Sequence, residues 1–265
     1  MSVPERGAKS DAGLLRTQHE ALTATREELF RLLDHPALEV IRSLLKNPLL
    51  DEPHLLVLLR RRDLPEDVVA AIGRHPMTEG SHSLQLALAR HPFTPAHLVL
   101  SMLPQLYLFE LVALCFLPGV TPDRKVAAER SIIQRLPVTP LGSRIALARR
   151  APSAVLEALL NDPAPQLMEA CLASPRLKES SLFRFVNGSG ATAETISALA
   201  RHPRWKSRPE LKLAILKNSK TPLVWFTLFL PTLNMTELRN LSLSSRLGHA
   251  QKDCVKEELR RRSRG

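Results

Sequence analysis

The sequence predicts an all-α protein, a right-handed α-solenoid of stacked short helices built from two tandem multi-helix blocks. Three observations predict it. Apolar residues recur three and four apart, which is the period of a helix, and no segment alternates apolar and polar residues as a half-buried strand would. Prolines stand at positions 36, 48, 76, 92, 104, 118, 137, 152, 163, 175, 203 and 231, and a helix interior holds proline only by losing a hydrogen bond and meeting a clash. The resulting segments of roughly 8 to 14 residues are too short to be stable alone in water. They must stack on their neighbours, and serial stacking builds a solenoid.

Of 265 residues, 44% are hydrophobic, 24% charged and 4% aromatic, enough apolar material for a packed core, which excludes a disordered or collagen-like chain. Only 10 glycines accompany 21 prolines, which argues against a nucleotide fold built on glycine-rich loops. Residues 1–12 are expected to form a flexible tail and residues 13–263 a single solenoid. The opening MSVPERGAKSDAG holds no apolar leader, and no run approaches the roughly 20 apolar residues of a membrane span. Cys115, Cys171 and Cys254 stand far apart, so no disulfide framework is expected and a cytoplasmic location is.

Helix starts are marked as well as stops. Thr94-Pro95, Thr121-Pro122, Thr139-Pro140 and Thr221-Pro222 each suggest an N-cap hydroxyl followed by proline at the first helical position. Ser207 with Glu210, and Asn234 with Glu237, suggest capping boxes. The most apolar stretch, Leu223 to Leu230, is closed by Pro231 and is expected to be a helix buried on all sides.

The chain also repeats itself. Arg74-His75-Pro76 recurs as Arg201-His202-Pro203, a shift of 127 residues. Without a gap, the same shift carries Thr94-Pro95 onto Thr221-Pro222, Leu103-Pro104 onto Leu230-Pro231, Pro36-Ala37 onto Pro163-Ala164 and Pro48 onto Pro175. Residues 29–136 and 156–263 therefore read as two copies of one block. Ala89-Arg90-His91-Pro92-Phe93-Thr94-Pro95 followed by Leu98, and Lys217-Asn218-Ser219-Lys220-Thr221-Pro222, resemble the Ala-x-Asn-Pro-x-Thr-Pro-x-x-x-Leu signature of bacterial leucine-rich repeat variant (LRV) proteins. That resemblance implies a HEAT-like helical solenoid. Some members of the family carry an iron–sulfur cluster on an N-terminal cysteine group; this chain has no such group, and no cofactor is expected.

No catalytic constellation emerges. His35, His75, His91 and His202 each precede proline, where an imidazole can hydrogen-bond terminal carbonyls, and His82, His91 and His97 lack partners at metal-ligand spacing. Cys115 and Cys171 lie in apolar surroundings that raise a thiol pKa. Asn187-Gly188-Ser189-Gly190 is followed by no Lys-Ser/Thr and reads as a turn, not a phosphate loop. In the second half Asp162 and Asp253 are the only aspartates and leave little material there for a paired-carboxylate site; no enzyme is expected.

Charge is unevenly placed. Residues 1–132 hold 15 Lys+Arg and 16 Asp+Glu, residues 133–265 hold 22 and 10, and so the net +11 of the chain lies in its second half. At equivalent positions Met77 becomes Arg204, Glu79 becomes Lys206, Ser81 becomes Arg208 and Gln85 becomes Lys212. The first copy folds without these charges, so Arg201, Arg204, Lys206, Arg208, Lys212, Lys217 and Lys220, with Trp205 among them and the tail Arg260-Arg261-Arg262-Ser263-Arg264 beside them, are expected to be available to a partner or to phosphates. The expected function is a non-enzymatic scaffold for protein–protein interaction, with an acidic partner. The alternative is a nucleic-acid-binding solenoid that uses the basic C-terminal half.

Overall fold

In a computed structural model the structure describes residues 5–263, with side chains from residue 12 onward. The described residues form 19 α-helices and three short 3-10 turns, with no strand among them. The chain divides into two compact units, Met1–Ser131 and Ile132–Gly265.

The first unit holds α1 (Glu5–Thr23), α2 (Arg26–Leu32), α3 (Leu38–Leu44), α4 (Glu52–Leu58), α5 (Glu66–Gly73), α6 (Pro76–Gly80), α7 (His82–Arg90), α8 (Ala96–Met102), α9 (Leu108–Leu114) and most of α10 (Pro122–Arg135). Helix begins at Glu5, within the stretch 1–12 expected to be a tail. No proline between Glu5 and Thr23 stops the helix. Residues 1–4 lie outside the described residues.

The second unit continues with α11 (Leu141–Ala148), α12 (Ser153–Leu159), α13 (Pro165–Ala173), α14 (Glu179–Asn187), α15 (Ala193–Arg201), α16 (Pro209–Leu216), α17 (Leu223–Phe229), α18 (Met235–Ser242) and α19 (His249–Ser263). Its helices stack in two rows. α11, α13 and α15 pack in succession, as do α12, α14 and α16, and α17 packs on α19. A helix of seven to nine residues gains its stability from such packing, because its own hydrogen bonds cannot outweigh the cost of nucleation.

A shift of 127 residues superposes the bounds of α2 on α12 and of α8 on α17, and aligns the start of α3 with α13, α4 with α14, α5 with α15, α9 with α18 and α10 with α19. The buried positions follow the same shift. Leu29, Leu55, Ile72, Leu84 and Leu111 correspond to Leu156, Leu182, Leu199, Leu211 and Leu238, all with no exposed surface. The first unit alone has α6; the corresponding residues 203–207 form turns around Trp205.

A polar side chain, in most cases the one before proline, builds the connections by bonding the backbone ahead of it, and His91 also makes the expected bond to a helix-end carbonyl. Nδ1 of His35, His75, His91 and His202 accepts the backbone N–H two residues on, at 3.1, 3.4, 3.3 and 3.3 Å. Asp162 does the same toward Ala164 N at 3.0 Å, Asn47 toward Leu49 N at 2.8 Å and Asn218 toward Lys220 N at 2.8 Å. The imidazole thus replaces an Asn or Asp oxygen in a side-chain-to-backbone turn. Three of these side chains also reach an earlier helix end: His91 Nε2 donates to Arg61 O (2.8 Å), Asn218 Nδ2 to Val186 O (2.5 Å) and Asn47 Nδ2 to Ala21 O (2.9 Å).

Both bonds of His91 require the neutral ring with its hydrogen on Nε2. Burial holds the pKa values of His75, His91 and His202 below the ordinary 6.5, and Arg62 and Arg124 push His91 further down. The folded chain therefore binds fewer protons than the unfolded one. The stability due to these rings is complete above pH ~6.5 and is lost as pH falls through the lowered folded values. Thermal unfolding is expected at a lower temperature at pH 5.5 than at pH 7.5. His91→Asn, which can make both bonds as Asn218 does, should shrink the difference; an undiminished difference would remove His91 from the explanation.

Several caps differ from expectation. Pro95, Pro140 and Pro222 occupy the N-cap position themselves, with helix following them. The preceding threonines turn backward, where the last carbonyls of a helix lack partners. Thr94 Oγ1 donates to Leu88 O (2.6 Å), Thr139 to Arg135 O (2.7 Å) and Thr221 to Ile215 O (2.5 Å). Pro122 does open α10. Ser207 caps nothing, because Pro209 sets the start of α16 and leaves Arg208 at the N-cap. The Asn234–Glu237 capping box forms, with both bonds at 2.8 Å. The apolar helix α17 is not buried on all sides: Trp225, Phe226 and Phe229 face inward, while Leu223, Val224 and Leu228 are 44%, 56% and 56% exposed.

Candidate functional site

In the basic stretch 201–220, expected to be available to a partner, Arg204, Trp205 and Lys220 are tied to main-chain carbonyls of other segments. Helix C-termini end in orphan carbonyls, and cationic side chains satisfy them here. Arg204 Nη1 donates to Ser174 O (2.6 Å) and Nη2 to Leu177 O (3.3 Å), while its guanidinium carbon lies 4.3 Å from the centre of the Trp205 ring. Trp205 is 3% exposed and its Nε1 donates to Leu172 O at 2.9 Å. Lys220 Nζ donates to Ser189 O and Ala191 O at 3.0 and 2.8 Å.

Arg208 lies 3.9 Å from Glu179, Lys212 Nζ lies 5.5 Å from the centre of the Phe229 ring, and Arg201 Nε bonds Ser197 O of its own helix (3.2 Å). Only Lys206 and Lys217 of the set are exposed without an ion pair or side-chain hydrogen bond. In the C-terminal run, Arg261 and Arg262 pair with Glu258 at 2.9 and 2.7 Å, and Arg262 also donates to Leu230 O and Leu233 O. Arg264 lies outside the described residues. Arg204, Lys220 and Arg262 therefore serve the fold, each covering main-chain carbonyls at helix ends.

Carbonyl clamps of this kind recur. In the first unit Arg61 donates to Leu33 O and His35 O, and Arg124 to His91 O and Thr94 O. Gln251, equivalent to Arg124, donates to Ser219 O and Thr221 O.

What the stretch does contribute is part of a cleft. Lys217 and Lys220 come together with Arg246, Asn187 and Ser219 around a space of about 440 Å³ at the turns that follow α14, α16 and α18. Arg246 was missed because it stands 26 residues beyond Lys220 in a serine-rich turn. The first unit has a cleft of about 420 Å³ lined by Arg62, Arg90, Arg124, Phe93 and Gly119. Under the 127-residue shift these five fall on Ser189, Lys217, Gln251, Lys220 and Arg246, so the two clefts occupy the same place in their units. No carboxylate lines either. No family model, curated protein or solved structure matches this chain.

In each cleft one cation is committed to main-chain carbonyls, Arg124 in the first and Lys220 in the second. Two are free of ion pairs: Arg62 and Arg90, and Lys217 and Arg246. Phe93 is 48% exposed at the first cleft. Gly119 has a φ of 77° and open space around it. No other residue type adopts positive φ in the described residues, so Arg246 takes its turn in another conformation, its N–H directed at Ser244 Oγ (3.4 Å).

Elsewhere, burial pushes the Cys115 thiol up to about 11 and the Cys171 thiol up to about 12, which leaves both unreactive as nucleophiles near neutrality. Among the described residues no group of three His, Cys, Asp or Glu side chains is placed to hold a metal ion. No described helix is long and apolar enough to cross a membrane.

Proposed function

We propose that the chain is a non-enzymatic helical-repeat scaffold that binds another protein through the outer face of α17. One observation carries this reading. Leu223, Val224 and Leu228 form an exposed apolar ridge at helical spacing, and the equivalent positions of α8 hold Ala96, His97 and Ser101. The fold is built in the first unit without that ridge, so its exposure in the second serves an external contact. A partner with acidic groups around its apolar contact would suit the second unit, where basic residues exceed acidic ones by 22 to 10.

The two packed rows of short helices in the second unit, the 127-residue correspondence of the helices and the resemblance to LRV proteins support a reading as right-handed α-solenoid. Three free cysteines suit a reducing compartment, and we place the protein in the cytoplasm. The alternative of a nucleic-acid surface made from 201–220 as one patch loses support, since Arg204, Trp205 and Lys220 are committed to main-chain carbonyls.

Affinity purification from the native extract tests the reading when run with two variants. The unaltered chain and a His97→Asp/Ser101→Asp variant of the first unit should recover the same protein, and Val224→Asp/Leu228→Asp should lose it. Recovery unchanged by Val224→Asp/Leu228→Asp overturns the assignment to α17.

A further inference from the structure

We propose that each unit holds a phosphate group of a single-stranded nucleic acid in its turn cleft, and that the first cleft also stacks a base on Phe93. Two clefts of nearly equal volume lie at equivalent places, and each carries two cations free of ion pairs and no carboxylate. Those cations do not come from the same positions. Arg90 and Lys217 correspond, but Arg62 corresponds to Ser189 and Arg246 to Gly119. The charge is thus retained at the cleft while the residues that supply it have changed, as binding an anion there would require.

Helix C-termini ordinarily repel anions, because their carbonyls carry the negative end of the helix dipole. Here that obstacle is reduced. Arg124 covers His91 O and Thr94 O in the first cleft, and Lys220 covers Ser189 O and Ala191 O in the second. Each clamp places a positive group on carbonyls that would otherwise face the anion, so the free cations act on a site already made positive. Guanidinium groups such as Arg62 and Arg90 can grip phosphate oxygens in a planar fork, and Lys217 serves as a point charge.

Phe93 selects the ligand class. Its half-exposed ring stands among the cations of the first cleft, and an aromatic face beside cations is the arrangement that holds an unpaired base next to its phosphate. A duplex keeps its base faces stacked inside and cannot use the ring. Gly119 leaves open the space that a side chain would occupy. In the second cleft Lys220 replaces the ring, so that site engages the phosphate alone.

Calorimetric titration of the full chain with a short single-stranded oligothymidylate tests this. Arg62→Glu/Arg90→Glu and Lys217→Glu/Arg246→Glu should each weaken binding at least tenfold, and the slope of log affinity against log salt should fall by about 0.7 for each phosphate no longer neutralised. Phe93→Ala should weaken the single strand by about tenfold and leave a duplex of the same length unaffected. The control Lys206→Glu/Arg239→Glu, on exposed residues that line neither cleft, should change affinity little. Unchanged affinity in both cleft variants overturns the proposal, as does an equal loss in the control. A phosphopeptide bound as tightly as the oligonucleotide overturns the assignment to nucleic acid.

Discussion

Trp205→Ala is expected to destabilise the second unit by about 3–5 kcal/mol, the cost of emptying a fully packed tryptophan site. Three losses coincide there. The indole leaves a cavity, Leu172 O loses its Nε1 donor, and the Arg204 guanidinium loses the ring face it covers. The first unit shows what the site is like without the indole. At the equivalent position Thr78 donates to Ile72 O at 2.8 Å, and a cleft of about 510 Å³ lies beside it, lined by Gly73, Gln85, Leu98 and Met102 among others. Their counterparts in the second unit include Lys212, Trp225 and Phe229, so the second unit fills with aromatic groups what the first leaves partly open. Urea unfolding followed by far-UV circular dichroism should show the transition of the second unit at lower denaturant. A loss below about 1 kcal/mol would show that Trp205 does not anchor this packing.

The second large effect is expected at a carbonyl clamp. Arg124→Met keeps most of the side-chain volume but leaves His91 O and Thr94 O without their donor, at a cost of about 1.5–3 kcal/mol for bonds from a charged group. Arg124→Gln should recover most of that loss, because Gln251 makes the equivalent pair of bonds at 3.0 and 2.8 Å. Equilibrium denaturation of the two variants separates a clamp from simple packing. Equal losses in both variants would mean that side-chain length, not hydrogen bonding, is what matters at Arg124.

Much of the architecture was legible because proline and the helical period are local signals. The prolines at 36, 48, 92, 118, 163, 175 and 203 all fall in connections, and the ungapped shift that aligns prolines also aligns helix bounds. What the local signals could not reveal is where a side chain points. Thr94 and Thr221 look like N-caps in sequence, yet they face the helix behind them, since an orphan carbonyl is as good a partner as an orphan N–H. The run Leu223–Leu230 is apolar but for Thr227, and too little periodicity remains to show which face is exposed. At the candidate site, counting charges located the second half but could not distinguish Lys217, which is free, from Lys220, which is clamped. Arg62 and Arg90 escaped notice because the first half is neutral overall; their nearest acidic neighbours in sequence cancel them in a sum but do not line the cleft.

Trp205 and Trp225 are the only tryptophans in the chain, and both are buried in the second unit. The sole tyrosine, Tyr107, belongs to the first, where it is 66% exposed with its ring 4.3 Å from that of His82. Light absorbed only by indole therefore excites one copy of the duplication and leaves the other dark. The emission of the unaltered protein is an intrinsic reporter of the second unit alone, and any unfolding seen in total helicity but not in that emission belongs to the first.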